Sequence, residues 1–274
     1  MFTEADLNAA LGEIGSKLRR RISAYLIGGC AMTFIGRKVA TKDIDVVFKS
    51  AHDAKDFMTA AKKAGFGYVL RPTGEYDALG TSAIMEDSRG MRFDIFDRRV
   101  CRSLELSEDM KSRAQLYGGF GNLEVYLMSP EDIFLFKGIT ERETDLDDMR
   151  MLAEAGLDWQ TIESECLSQK RSGRWTYMLG TKLLELRAEF GISSPITKNL
   201  LERADIDLLT HVFGKIIEEG KNTFKEISQA IKDKYLYSDS WTRKQLHVLL
   251  KSGAIGVKSE GRRHIYYMRR QTGF

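Results

Sequence analysis

The chain has 274 residues, 43% of them apolar and 30% charged, enough for one large or two ordinary domains with an apolar core. No apolar run approaches the roughly 20 residues that span a bilayer, and the first residues lack the basic and then apolar pattern of a signal peptide. Three scattered cysteines, Cys30, Cys101 and Cys166, argue against a disulfide framework or a zinc site, so a cytoplasmic protein with reduced thiols and no membrane partner is expected.

Apolar residues at helical spacing predict a helix over Leu7 to Ile22. Ala24 to Ile27 reads as a short buried strand stopped by Gly28 and Gly29, with a turn of helix after it from Cys30 to Gly36. Asp43 to Phe48 is a second strand, with β-branched and aromatic bulk at Ile44, Val46, Val47 and Phe48. A helix over Ala51 to Ala64 ends at Gly65, a C-terminal cap position. Tyr68 to Arg71, Ala83 to Met85, Arg92 to Phe96 and Leu123 to Leu127 are further strand candidates. From Ser129-Pro130-Glu131-Asp132 onward the chain turns helical: a hydroxyl cap, proline at the first position and acids in the first turn. Asp158 to Phe190 continues as helix, and Ser193-Ser194-Pro195 is the expected linker. The order suits an α+β fold: a mixed-sheet domain over residues 1–152, a helical connector over 153–204 and a C-terminal domain over 205–274.

Chemistry concentrates in three carboxylates. Residues two apart on a strand share a face, so Asp43 and Asp45 point the same way while Ile44 points into the core. Two such neighbours repel unless a cation joins them, and Mg²⁺ (or Mn²⁺) takes oxygen ligands and shares its sphere with substrate phosphates. Asp94 lies inside an apolar strand, where a charge needs a reason, and would complete the set. Asp97, at the strand end, is the alternative. Gly28 and Gly29 leave room for backbone N–H groups to approach phosphate oxygens. Alone, a Gly-Gly pair marks a turn and an Asp-x-Asp a solvated pair; the ordered combination with Asp94 is what points to a site.

Gly28-Gly29 followed by Thr41-x-Asp43-Ile44-Asp45 resembles the signature of the nucleotidyltransferase superfamily, with its DNA polymerase β-like fold. It is most similar to the small prokaryotic branch that includes the abortive-infection type IV toxins. The resemblance covers about Ala24 to Leu152. It implies transfer of a nucleoside monophosphate from a nucleoside triphosphate, with Asp43, Asp45 and Asp94 catalytic and metal-binding. A later helical motif of this branch reads here as Lys137, Arg142, Asp145 and Asp148. It implies that Lys137 contacts the triphosphate and that Asp145 belongs to the rim of the site. A solvent-exposed ion-pair ladder has the same spacing. Many members carry serine after the glycines, to hold a phosphate; Cys30 takes that place here and is a poorer donor. A toxin role would imply a partner antitoxin.

The last 70 residues carry 13 Lys or Arg against 8 Asp or Glu, while the rest carries 29 against 31. A helix over Leu208 to Glu219 is followed by one capped by Thr223 and one capped by Ser238 or Ser240. Two strands, Ile255 to Lys258 and Arg262 to Met268, come last. Three helices and a hairpin in this order resemble a winged helix-turn-helix. That resemblance implies RNA or DNA contact through Arg243 and Lys244 on the third helix and Arg262 and Arg263 on the wing. Winged-helix units also serve as protein-binding modules. Two functions follow: a metal-dependent nucleotidyltransferase acting on RNA, a protein side chain or a small molecule, or a nucleic-acid-binding regulator whose first domain senses nucleotide.

Overall fold

The computed structural model describes residues 3–36, 43–69, 81–100, 104–140, 144–169, 172–261 and 263–269. Thr41, Cys101, Arg142 and Arg262 lie outside them. The chain forms two compact units, Met1–Thr197 and Lys198–Phe274.

The first unit opens with helix α1 (Glu4–Lys17), where Thr3 and Asp6 cap each other in a capping box. Strand β1 (Ile22–Ile27) runs directly into α2 (Gly28–Phe34), followed by β2 (Asp43–Phe48) and α3 (Ala51–Lys63). Next come β3 (Gly67–Tyr68), β4 (Ala83–Glu86), β5 (Arg92–Asp97), β6 (Arg99–Val100) and β7 (Leu104–Glu105). After α4 (Glu108–Arg113), strands β8 (Gln115–Phe120) and β9 (Leu123–Leu127) form a hairpin. Four helices close the unit: α5 (Pro130–Gly138), α6 (Thr144–Glu154), α7 (Trp159–Ser168) and α8 (Ser172–Phe190).

Among the described residues the main sheet has seven strands in the order β3-β4-β5-β2-β1-β9-β8. It is mixed, as the order of elements predicts: β2 is parallel to β5 and β1 to β9, and the other pairs are antiparallel. One face is sealed by apolar helices. Phe57 of α3 sets its ring 4.9 Å from that of Phe48 and 5.5 Å from that of Phe93. Leu7, Leu11 and Ile14 of α1 are buried.

Strands β6 and β7 and helix α4 are not expected from sequence, and three other differences have a clear cause. The first helix stops at Lys17, not Ile22, because Ile22 is claimed by the sheet: its N–H donates to the Asn122 carbonyl at 2.9 Å and it pairs with Leu123. The helix predicted at Leu208 begins at Thr197, since Leu200 and Ala204 already bury the same apolar stripe. Strand β8 has no alternating apolar signal and contains Gly118 and Gly119; its pairing with β9 creates it.

The second unit holds α9 (Thr197–Glu218), which begins at the boundary, then α10 (Phe224–Tyr235), α11 (Asp239–Lys251) and the hairpin β10 (Ile255–Glu260) and β11 (Arg263–Met268). Its core is Phe213, Ile216, Ile227, Ile231, Leu246, Leu249 and Ile255. Thr223 and Glu226 form a second capping box at the start of α10, and Ser238, not Ser240, caps α11. Thr223 also bridges to Ile265, fastening the start of α10 to the hairpin. Trp241 stacks on Tyr237 with ring centroids 4.0 Å apart, a packing role in keeping with its partial burial.

Candidate active site

The register of β2 on β5 places Asp43 opposite Arg92 and Asp45 opposite Asp94. Because strand residues two apart share a face, all four side chains emerge on the same side of the sheet. Parallel pairing thus puts the three carboxylates named by the sequence on one face of two neighbouring strands, from positions about fifty residues apart. Asp43 is partly exposed, Asp45 intermediate, and Asp94 only 2% exposed.

Arg92 was not singled out by sequence, although the same two-residue spacing that links Asp43 to Asp45 links it to Asp94. Its Nε donates to Asp94 Oδ1 at 2.7 Å and its Nη2 to Asp94 Oδ2 at 3.2 Å, a two-pronged clasp. The same Nε lies 3.8 Å from Asp43 Oδ1. Among the described residues, no group of three or more His, Cys, Asp or Glu side chains is gathered closely enough to hold a metal ion.

Gly28 joins β1 to α2 at φ +63°, a conformation that costs any residue with a Cβ. A Cβ there would sit 2.2 Å from Asp45 Oδ2, so the glycine makes room for the carboxylate itself. That is a second reason for glycine, beside the one the sequence suggests. Gly29 follows in the first turn of α2, and Cys30 is 1% exposed. Burial, with Asp45 adding to it, pushes the Cys30 thiol well above its usual range, so it stays protonated.

Lys137, near the end of α5, is held between two buried acids of α6. Its Nζ lies 2.6 Å from Asp145 Oδ1 and 2.8 Å from Asp148 Oδ2. Asp145 and Asp148 are 1% and 2% exposed, so this is a buried clamp and not the exposed ladder that the spacing also allows. The Thr140 hydroxyl, not anticipated from sequence, donates to the Asp145 carboxylate. Burial alone would lower the Lys137 pKa; the two carboxylates outweigh it and raise the pKa above 10.5. The stability that Lys137 draws from its charge is therefore present at neutral pH and lost as the pH rises through the raised value.

A cavity of about 40 Å³ connects the two groups, lined by Gly28, Asp45, Lys137, Thr140 and Asp145 among others. The N-terminal half of α5 is anchored separately. Arg113 Nη2 donates to Asp132 Oδ1 and to Glu165 Oε2, each at 2.6 Å, tying α4 and α5 to α7 through acids that are 1% and 3% exposed. No motif announces this network, because its members are far apart in sequence.

In the second unit, Arg243 lies over the Phe224 ring at 4.2 Å from its centroid. A groove of about 890 Å³ is lined by Arg243, Arg263, His264, Lys221, Lys225 and Phe224, with Glu226 and Asp233 also present. Arg243 and Arg263 are thus brought together; Lys244 is exposed but does not line this groove. Lys221 and Lys225 flank the Thr223 cap, and only the fold shows that they face the same space as Arg243.

Residues 6–174 match the profile of a family described as nucleotidyltransferase of unknown function (DUF6036). The chain belongs to that family. No curated protein matches it in sequence. Among the described residues, no helix is long and apolar enough to cross a membrane.

Two substitutions check the geometry. Gly28→Ala must adopt a left-handed conformation against Asp45 and is expected to lower the unfolding free energy by about 1–2 kcal/mol or more in urea denaturation. Lys137→Met strands two buried carboxylates, and a loss of about 3–5 kcal/mol is expected. A change below about 0.5 kcal/mol, the size of a surface substitution, would show that Asp145 and Asp148 do not depend on Lys137.

Proposed function

We propose, from membership of this nucleotidyltransferase family, that the first unit transfers a nucleoside monophosphate from a nucleoside triphosphate to an acceptor hydroxyl or phosphate. The observation that carries the reading is the parallel register that sets Asp45 beside Asp94 with Asp43 on the same face, next to Gly28, which makes room for the Asp45 carboxylate.

The donor set fits a divalent cation in kind. Three carboxylates on one sheet face are the kind of oxygen ligands that Mg²⁺ or Mn²⁺ takes beside phosphate oxygens. Asp43, Asp45 and Asp94 would hold it. A cation held there would neutralise phosphate charge and favour ionisation of the attacking hydroxyl. The chain's own groups do the rest. Backbone N–H groups of Gly28 and Gly29 at the start of α2 hold the triphosphate, and Lys137, oriented by Asp145 at the rim of the site, contacts it. Cys30, buried and protonated, adds packing in place of the serine hydroxyl of many relatives.

In the second unit, a groove that combines cations with an arginine stacked on a phenylalanine favours RNA or DNA, with Arg243 and Arg263 on phosphates; Lys244, outside the groove, and Arg262, next to Arg263 in sequence, would add phosphate contacts. An RNA end is accordingly the acceptor class this reading prefers. The helices and hairpin of this unit agree with a winged helix. One observation favours a second reading, a nucleotide-sensing regulator without turnover: the replacement of the phosphate-holding serine by an inaccessible Cys30.

Purified protein incubated with α-labelled nucleoside triphosphates, Mg²⁺ or Mn²⁺ and total RNA is expected to transfer label, and Asp45→Asn to abolish transfer while melting like the wild type. Transfer that persists in Asp45→Asn would refute the assignment, and nucleotide binding without any transfer would select the sensing reading. For the second unit, Arg243→Ala with Arg263→Ala is expected to weaken RNA or DNA binding and to flatten its log–log salt dependence by about one unit per lost phosphate contact. Equal binding at every salt concentration would place the nucleic-acid contact elsewhere.

A further inference from the structure

Asp94 faces a problem that Asp43 does not. Its side chain is 3% exposed, against 43% for Asp43, so water does little to stabilise its charge. A buried carboxylate without a partner is strongly unfavourable, and a metal site has to persist through the part of its cycle in which no metal is bound. Here the charge is met from within the same strand. Arg92 lies two residues before Asp94, its side chain is 18% exposed, and its fork engages both oxygens of Asp94 while its Nε also reaches towards Asp43. A guanidinium and a divalent cation on the same carboxylate repel each other, and both would draw on the same two acids.

We propose that Arg92 is a displaceable counter-cation of the carboxylate site, competing with the divalent metal for Asp94 and Asp43 and thereby setting the metal affinity of the resting protein. The inference rests on the metal-dependent reading above and concerns a residue that reading does not use. Arg92 is a positioning residue in this scheme: it keeps Asp94 paired, ordered and in place, and gives it up when the metal enters. Its partial exposure at the start of β5 gives the guanidinium a route to solvent that the buried Asp94 lacks. A purely structural pair predicts the reverse dependence, because loss of Arg92 would then disorder a ligand and weaken metal binding.

The test is Mn²⁺ binding to the full chain, followed by electron paramagnetic resonance or calorimetry without nucleotide. Arg92→Gln is expected to bind Mn²⁺ about tenfold more tightly than the wild type, the factor that corresponds to losing one charge-assisted competitor. Adding Asp94→Asn to Arg92→Gln should erase that gain. Arg92→Lys, which keeps the charge without the fork, carries the test if Arg92→Gln does not fold, with a smaller rise expected. Affinity unchanged or reduced in Arg92→Gln or in Arg92→Lys, in a variant that melts as a folded protein, would overturn the proposal while leaving the metal site standing. Mn²⁺ binding that is absent from all variants, or indifferent to Asp45→Asn, would instead remove the metal-dependent reading and the inference with it.

Discussion

Parallel pairing of β2 with β5 is the constraint on which the first unit depends. Parallel neighbours cannot be joined by a tight turn, so the intervening chain must cross over, and α3, β3 and β4 occupy that connection. The crossover brings Asp45 level with Asp94, and the two-residue period of the strands then fixes the positions of Asp43 and Arg92 without further adjustment. A slip of one residue in this register would turn Asp94 into the apolar layer and Phe93 out of it. Phe93, locked edge-on against Phe57 and Phe66, opposes that slip. The aromatic packing on one face of the sheet therefore holds the charged group on the other.

Electrostatic balance is the second organising theme. Two cations, Arg92 and Lys137, each meet a pair of acids, and Arg113 does the same for Asp132 and Glu165. In every case at least one of the acids is nearly inaccessible to water. While these pairings last, each buried acid is held in a fixed geometry by a cation beside it. Family membership covers residues 6–174, and all three clusters fall within that span.

How much of this is legible in sequence depends on whether the contact is local. Asp43, Asp45 and Gly28 are readable because a strand period and a strand-to-helix junction are properties of a few consecutive residues. Asp94 is readable because a lone acid in an apolar strand is costly. The helix caps at Thr223 and Ser129 are short-range as well and fall where the residues indicate. Strand β8, the early end of α1, the Arg113 network and the place of Lys221 and Lys225 in the basic groove are set by partners distant in sequence, and nothing in their own residues discloses them. Arg92 lies between these cases. Its spacing to Asp94 is local, but a strand-initial arginine carries no mark that separates a solvated side chain from one folded back onto an acid.

The buried clamp at Lys137 also has a thermal consequence. Hydration of charged groups becomes less favourable on warming, so the desolvation that Lys137, Asp145 and Asp148 underwent weighs less against the folded state at higher temperature. Apolar contacts elsewhere in the unit gain no comparable advantage. The joint between α5 and α6, which carries the lysine beside Gly28 and Asp45, is thus suited to hold its shape on heating.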